Sequence, residues 1–269
     1  MRSPATCTRV FVKLALALIL VTSSALPLLC QAPSRTEPDL YPNVWKDREP
    51  TDMEKLFHAV LTGDKSVVPR LAAAFDSATN SMEKRTIAGV LMRAGVKDEV
   101  YFTFLVSEAR KSVDSDTPEP LVYGSDGKLI KGQWNPAFLA WCRKRQLDPH
   151  DTAMELVYER PAGLLELAGT GDPRGYDLLL KALHSTNYEL AIIAARGLAM
   201  IHDPRAIDEI ITACQAAPSS EASSIAWALV YFNDPNAQRA AERFITDKAL
   251  LASLRDDATQ HGTKSLFGW

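Results

Sequence analysis

The sequence predicts an all-α protein, an α–α solenoid of short helix pairs with one loop or hairpin insertion. Three observations predict it. First, Gly171-Asp172-Pro173-Arg174, His202-Asp203-Pro204-Arg205 and Asn233-Asp234-Pro235-Asn236 recur at a spacing of 31 residues, within the range that marks repeat architectures. Second, each Asp-Pro is a helix start. The carboxylates of Asp172, Asp203 and Asp234 can accept from first-turn N–H groups, and proline at the first helical position sacrifices no bond. These three acids therefore read as structural helix caps. Third, adding the period preserves residue character. Gly175, Ala206 and Ala237 are all small; Leu179 matches Ile210; Leu183 matches Cys214 and Ile245; Ala195 matches Ala226; and Leu198 matches Leu229.

Residues 1–30 have the three parts of an export signal. Arg2, Arg9 and Lys13 precede an apolar run from Leu14 to Val21, and small residues follow. Ser23 and Ala25 place cleavage after Ala25, whereas a cut after Ala32 would stand beside Pro33. Lipid attachment at Cys30 is the alternative, although Pro27 and Leu29 depart from the usual pattern before a lipidated cysteine. The expected location is secreted or periplasmic, with membrane association only if Cys30 is lipidated. Residues 31–51 read as a Pro-rich linker, with Trp45 as a packing anchor.

A helical-repeat domain is expected over 52–258. Asp52–Leu61 reads as a helix. Val67–Phe75 and Ser81–Ala94 read as a divergent helix pair, and Val100–Ser112 as a further helix with Phe102, Leu105 and Ala109 on one side. The period fails over 112–134. There Leu121-Val122-Tyr123 and Lys128-Leu129-Ile130 flank Gly124-Ser125-Asp126-Gly127, a hairpin signal. Asn135-Pro136 starts a helix through Arg145. After Asp148-Pro149, Asp151–Tyr158 and Pro161–Ala168 read as a shortened pair.

The regular 31-residue repeats occupy 171–246. Each has a Leu- or Ile-rich first helix and a second one rich in small residues, read as Tyr188–Ile201 and, after a Pro218-Ser219-Ser220 break, Glu221–Phe232. Asp247–Asp256 reads as a terminal helix and 259–269 as a tail whose apolar end, Leu266-Phe267-Trp269, caps the array. Gly-Asp-Pro-Arg before a Leu-rich helix, then Ala194-Ala195-Arg196-Gly197-Leu198 leading into the next Asp-Pro-Arg-Ala, resembles the bilin-lyase-type (PBS-lyase) HEAT-like repeat. The resemblance implies an α–α solenoid and, most often, protein–protein binding. It does not imply lyase activity, since the pattern is scaffold.

No nucleophile-elbow, Walker or dinucleotide-binding pattern occurs, so no catalytic residue and no cofactor is assigned. The histidines 58, 150, 184, 202 and 261 stand apart from metal-ligand spacing, and the His-Glu pairs of HEAT-like di-iron hydroxylases are missing. Asp114, Asp116 and Asp126 fit no calcium loop and read as solvated acids. Cys142 and Cys214 read as buried apolar residues, with a disulfide between them the alternative. Net charge is −3, and −6 without the three basic residues of 1–30, which argues against nucleic acid. The favoured function is a scaffold that binds a protein or extended peptide. Tyr123, Trp134, His150 and Tyr158 near the insertion are the candidate contact residues. The same four would line the groove of a lyase-like or other enzyme, the competing reading.

Overall fold

The computed structural model describes residues 49–267 apart from 116, 119 and 124–128, and side chains at all of these except 121, 123, 129, 131, 132, 154, 155 and 157–160. The export signal, the linker through residue 48 and Trp269 therefore lie outside the described residues. The helices are α1 (Asp52–Leu61), α2 (Val68–Ser77), α3 (Ser81–Arg93), α4 (Glu99–Val113), α5 (Pro136–Arg145), α6 (Pro149–Gly169) and α7 (Tyr176–Leu183). They continue with α8 (Tyr188–Ile201), α9 (Ala206–Ala216), α10 (Ser219–Ala226), α11 (Pro235–Phe244) and α12 (Lys248–His261). A two-stranded antiparallel sheet, β1 (Leu121–Tyr123) and β2 (Leu129–Trp134), lies between α4 and α5.

Two layers of helices make up the array. In the first, α4, α7, α9 and α11 follow one another side by side; in the second, α1, α3, α6, α8, α10 and, through the 3-10 turn Trp227–Tyr231, α12 do the same. Helices pack in the pairs α2/α3, α4/α6, α7/α8 and α9/α10, while α11 packs on α10 and the 3-10 turn after α10 and reaches α12 through the Glu242–Arg255 ion pair. Leu179, Leu183, Leu198, Ile210, Cys214, Leu229 and Ile245 all lie in the shared core. This is a HEAT-like solenoid, and the core is continuous because each pair covers the apolar face its neighbour leaves open.

The unit starts are built alike. Asp64, Asp98, Asp172 and Asp203 each accept from the backbone N–H two residues on, at 2.9–3.0 Å. Asp234 accepts from those of Asn236 and Ala237 at 2.8 and 3.0 Å. Before three of these caps the chain turns through a residue of positive φ, Gly63 at φ +109°, Gly171 at φ +61° and His202 at φ +60°. Glycine meets no steric penalty there; His202 does, and its ring stacks on Phe232 at 5.5 Å.

Three expectations need correction. Asp151–Tyr158 and Pro161–Ala168 are not a helix pair but parts of one helix, α6, with Pro161 inside it. No Ser, Asn, Asp or Gly precedes Pro161 to cap a new start, so the helix runs through at the cost of one backbone bond. The C-terminal half of α6 then supplies the second-layer partner of α4. The terminal helix runs to His261, not Asp256, and continues as a 3-10 turn, Gly262–Phe267. The tail from residue 259 is thus structured through Phe267, and Leu266 is buried. Finally, the helix expected over 221–232 begins at Ser219 and tightens to 3-10 from Trp227.

Candidate partner-binding surface

The interruption falls inside one unit, in the connection from α4 to α6. In the regular unit that follows, the corresponding connection is only His184–Asn187, between α7 and α8. Here it holds the hairpin, α5 and the first half of α6. Trp134 pairs with Leu121 across the hairpin, and the Asn135 N–H donates to the Pro120 carbonyl at 3.0 Å. The hairpin therefore leaves and re-enters at one point. Phe138, Cys142 and Ala153 form a small core of their own, with Trp134, Trp141 and Leu156 against it. The insertion is a satellite with its own apolar centre.

Of the four sequence candidates, the structure brings two together. The Trp134 and His150 rings meet edge to face at 6.4 Å. His150 is exposed in the first turn of α6, and Trp134 is half-buried against Phe138. Tyr123 lies in β1 and Tyr158 in α6, both among the positions whose side chains are not described. Around this cluster the surface carries both charges and apolar groups, with Asp148 and Asp151 exposed beside His150 and basic residues at the end of α5. Arg143, Lys144 and Arg145 are exposed at the end of α5, Arg145 stacks on Trp141 at 4.2 Å, and Leu147 and Ile130 are 41% and 36% exposed.

The array contributes polar features that the sequence reading missed. In the Asp-Pro-Arg starts, the arginine folds back on the cap carboxylate and also reaches the preceding unit. Arg174 Nε and Nη2 donate to Asp172 at 2.9 and 2.7 Å. Arg174 also pairs with Glu99 and lies 3.8 Å over the Phe102 ring, both on α4. Arg205 pairs with Asp203 and lies over Tyr176 of α7 at 4.8 Å. The motif joins neighbouring units as well as starting helices. Arg174 holds the Asp172 carboxyl below its ordinary value, and Arg205 does the same for Asp203. A carboxyl depressed on folding stabilises above its unfolded pKa of about 3.9 and loses that contribution as pH falls through its folded value. Asp172→Asn keeps a capping side chain but removes the charge. Its melting temperature, followed from pH 6 to about pH 2, is expected to fall less steeply below pH 4 than the wild type's. The difference is expected to be under about 1 kcal/mol, because the Arg174 side chain is 39% exposed and solvent screens the pair.

Two buried ion pairs tie α3 to the helices beside it. Arg85 of α3 donates to Glu108 of α4 at 3.1 Å, and Arg93 of α3 donates to Glu166 of α6 at 2.8 Å. A third arginine differs. Arg196, on α8, lies 5.3 Å from the centre of the Trp227 ring. Its Nε and the Trp227 Nε1 are sealed from solvent without a hydrogen-bond partner. Burial pulls this guanidinium below its ordinary pKa. The Tyr231 hydroxyl one turn beyond Trp227 donates to Asp257 at 2.8 Å, and burial raises its pKa.

Cys142 and Cys214 are both free thiols, which overturns the disulfide alternative. Cys142 sits in the satellite core and Cys214 in the array core, and burial pushes Cys214 up to about 12. Among the described residues no group of three His, Cys, Asp or Glu side chains is placed to hold a metal ion. No helix among them is long and apolar enough to cross a membrane.

A family model described as PBS lyase HEAT-like repeat matches residues 190–216, most of α8 and all of α9. No curated protein and no solved structure matches the chain.

Proposed function

Because this chain is a HEAT-like repeat protein, a helical-repeat scaffold by construction, we propose that it is exported and serves to bind another protein or an extended peptide. The observation that carries the proposal is the insertion between α4 and α6. It has its own core, and it leaves the packing of the helix pairs on either side intact. A loop that a solenoid does not need for its fold is where a repeat protein places recognition. Trp134, His150, the exposed Leu147 and the basic end of α5 supply an aromatic, apolar and cationic surface of the kind enriched at protein interfaces. The proposed contact residues Tyr123 and Tyr158 lie in the same insertion. Export rests on the tripartite pattern of residues 1–30.

The test is comparative capture. Pro120 and Asn135 are hydrogen-bonded, so residues 121–133 can be replaced by Gly-Ser-Gly without separating the flanking chain. Intact and excised chains serve as bait in envelope extract. A protein retained by the intact chain and lost from the excised one supports the proposal. Equal retention moves recognition off the hairpin to the rest of the insertion or the array, and no retention by either contradicts a binding role.

A further inference from the structure

We propose that the Arg196–Trp227 pair on the second-layer surface holds one carboxylate of the bound partner, an Asp or Glu side chain of a peptide flanked by apolar residues. This deepens the scaffold reading above and rests on it.

The placement follows from the repeat. Ile192, Arg196 and Met200 stand at successive four-residue steps on α8 and are its partly exposed row, while Leu190, Ala191, Ala194, Ala195, Leu198 and Ala199 are buried. Arg196 and Trp227 are one period apart, so they hold corresponding places in consecutive second-layer segments, Arg196 in α8 and Trp227 at the start of the 3-10 turn after α10. A guanidinium carries five N–H donors. Stacking on an aromatic face satisfies none of them. Among the described residues no carboxylate, carbonyl or hydroxyl reaches Arg196. Its Nε is sealed, its two Nη atoms are not, and the residue is half-buried.

The contrast inside the same layer is informative. Among the described residues, Arg85 and Arg93 are also shielded in this layer, and each holds a carboxylate, although Arg93 too keeps a sealed Nε. Arginines are rarely buried without one, because a charge taken from water needs compensation. An isolated carboxylate matches the fork bidentately. Ile192, Met200 and the indole favour apolar residues on either side of it. Asp257, held by Tyr231 next to the site, and the chain's net charge of −3 disfavour a polyanion.

Selection of a displayed library of random peptides on the intact chain tests this. Enriched peptides are expected to share an Asp or Glu between apolar residues. They are expected to bind Arg196→Met more weakly by about tenfold or more, with Arg196→Lys intermediate because it keeps the charge and loses the fork. The melting temperature of Arg196→Met is expected to be equal or higher, since an uncompensated charge has been removed. A clearly lower melting temperature would make the guanidinium a structural prop and overturn the proposal. Enriched peptides that bind Arg196→Met as well as wild type overturn it while leaving the scaffold reading standing. No enrichment on the intact chain overturns both. Dimerisation that Arg196→Met abolishes would assign the carboxylate to a second copy and overturn the peptide assignment.

Discussion

Replacing Glu108 with alanine is expected to lower the unfolding free energy by about 3–5 kcal/mol, measured by denaturant unfolding. The Glu108 side chain is 4% exposed and the Arg85 guanidinium beside it 7%. Lys111, one turn further along α4, pairs with the same carboxylate from the solvent side. Truncation takes away the carboxylate that Arg85 donates to across the α3–α4 contact and leaves that charge in a low-dielectric site. The cost comes from taking a buried partner away from the guanidinium rather than from the net worth of the pair, so a second variant separates them. Arg85→Met with Glu108→Leu removes both charges and fills the space with apolar volume. It is expected to recover most of the loss, to within about 1 kcal/mol of wild type. A double variant as unstable as Glu108→Ala would mean that the pair itself contributes the stability.

Gly163→Val is expected to cost about 2–3 kcal/mol for a different reason. Gly163 lies in α6 against the backbone of α4. A Cβ built there would sit 2.7 Å from both the carbonyl carbon and oxygen of Glu108 and 3.0 Å from the Ala109 nitrogen. Backbone cannot swing aside as a side-chain tip can, so the two helices would have to separate. Their contact joins the halves of the unit that the insertion divides. Gly175→Ala is the control. A Cβ there finds its nearest neighbour, a Leu167 methyl, at 3.6 Å, and Ala206 and Ala237 hold that position in the next two repeats. This variant is expected to be neutral or more stable by up to about 1 kcal/mol, through the reduced freedom of the unfolded chain. Urea unfolding of the two variants side by side distinguishes a steric effect from loss of glycine as such.

The repeats were legible wherever a local signal and the period agreed. Over 171–246 the Asp-Pro caps, the small residues at 175, 206 and 237 and the core matches all depend on short-range chemistry, which a sequence displays directly. Legibility failed where one residue could be read two ways. Pro161 starts a helix if a cap precedes it and sits inside one if none does. The packing of the second half of α6 on α4 and α8 is what makes the continuous form worthwhile. The start of α4 lacks the proline, so Asp98 resembled a cap only weakly, although its geometry matches that of Asp172. The aromatic pairing of Trp134 with His150 could be anticipated from their closeness to the insertion. Arg196 could not, because it stands within an Ala-rich motif that reads as scaffold. Its lack of a carboxylate depends on the helices to either side. Laying out every position one period from Arg196, which gives Leu165, Trp227 and Ala258, is the one sequence operation that would have exposed it.

The division between a self-sufficient array and a satellite insertion is tested most directly by thermal unfolding of the chain in which Gly-Ser-Gly replaces residues 121–133, followed by far-UV circular dichroism. The helical signal is expected to persist, with a single cooperative transition within about 5 °C of the intact chain's. Loss of helical signal, or a transition far below that of the intact chain, would contradict the division and make the hairpin part of the core that holds the repeats together.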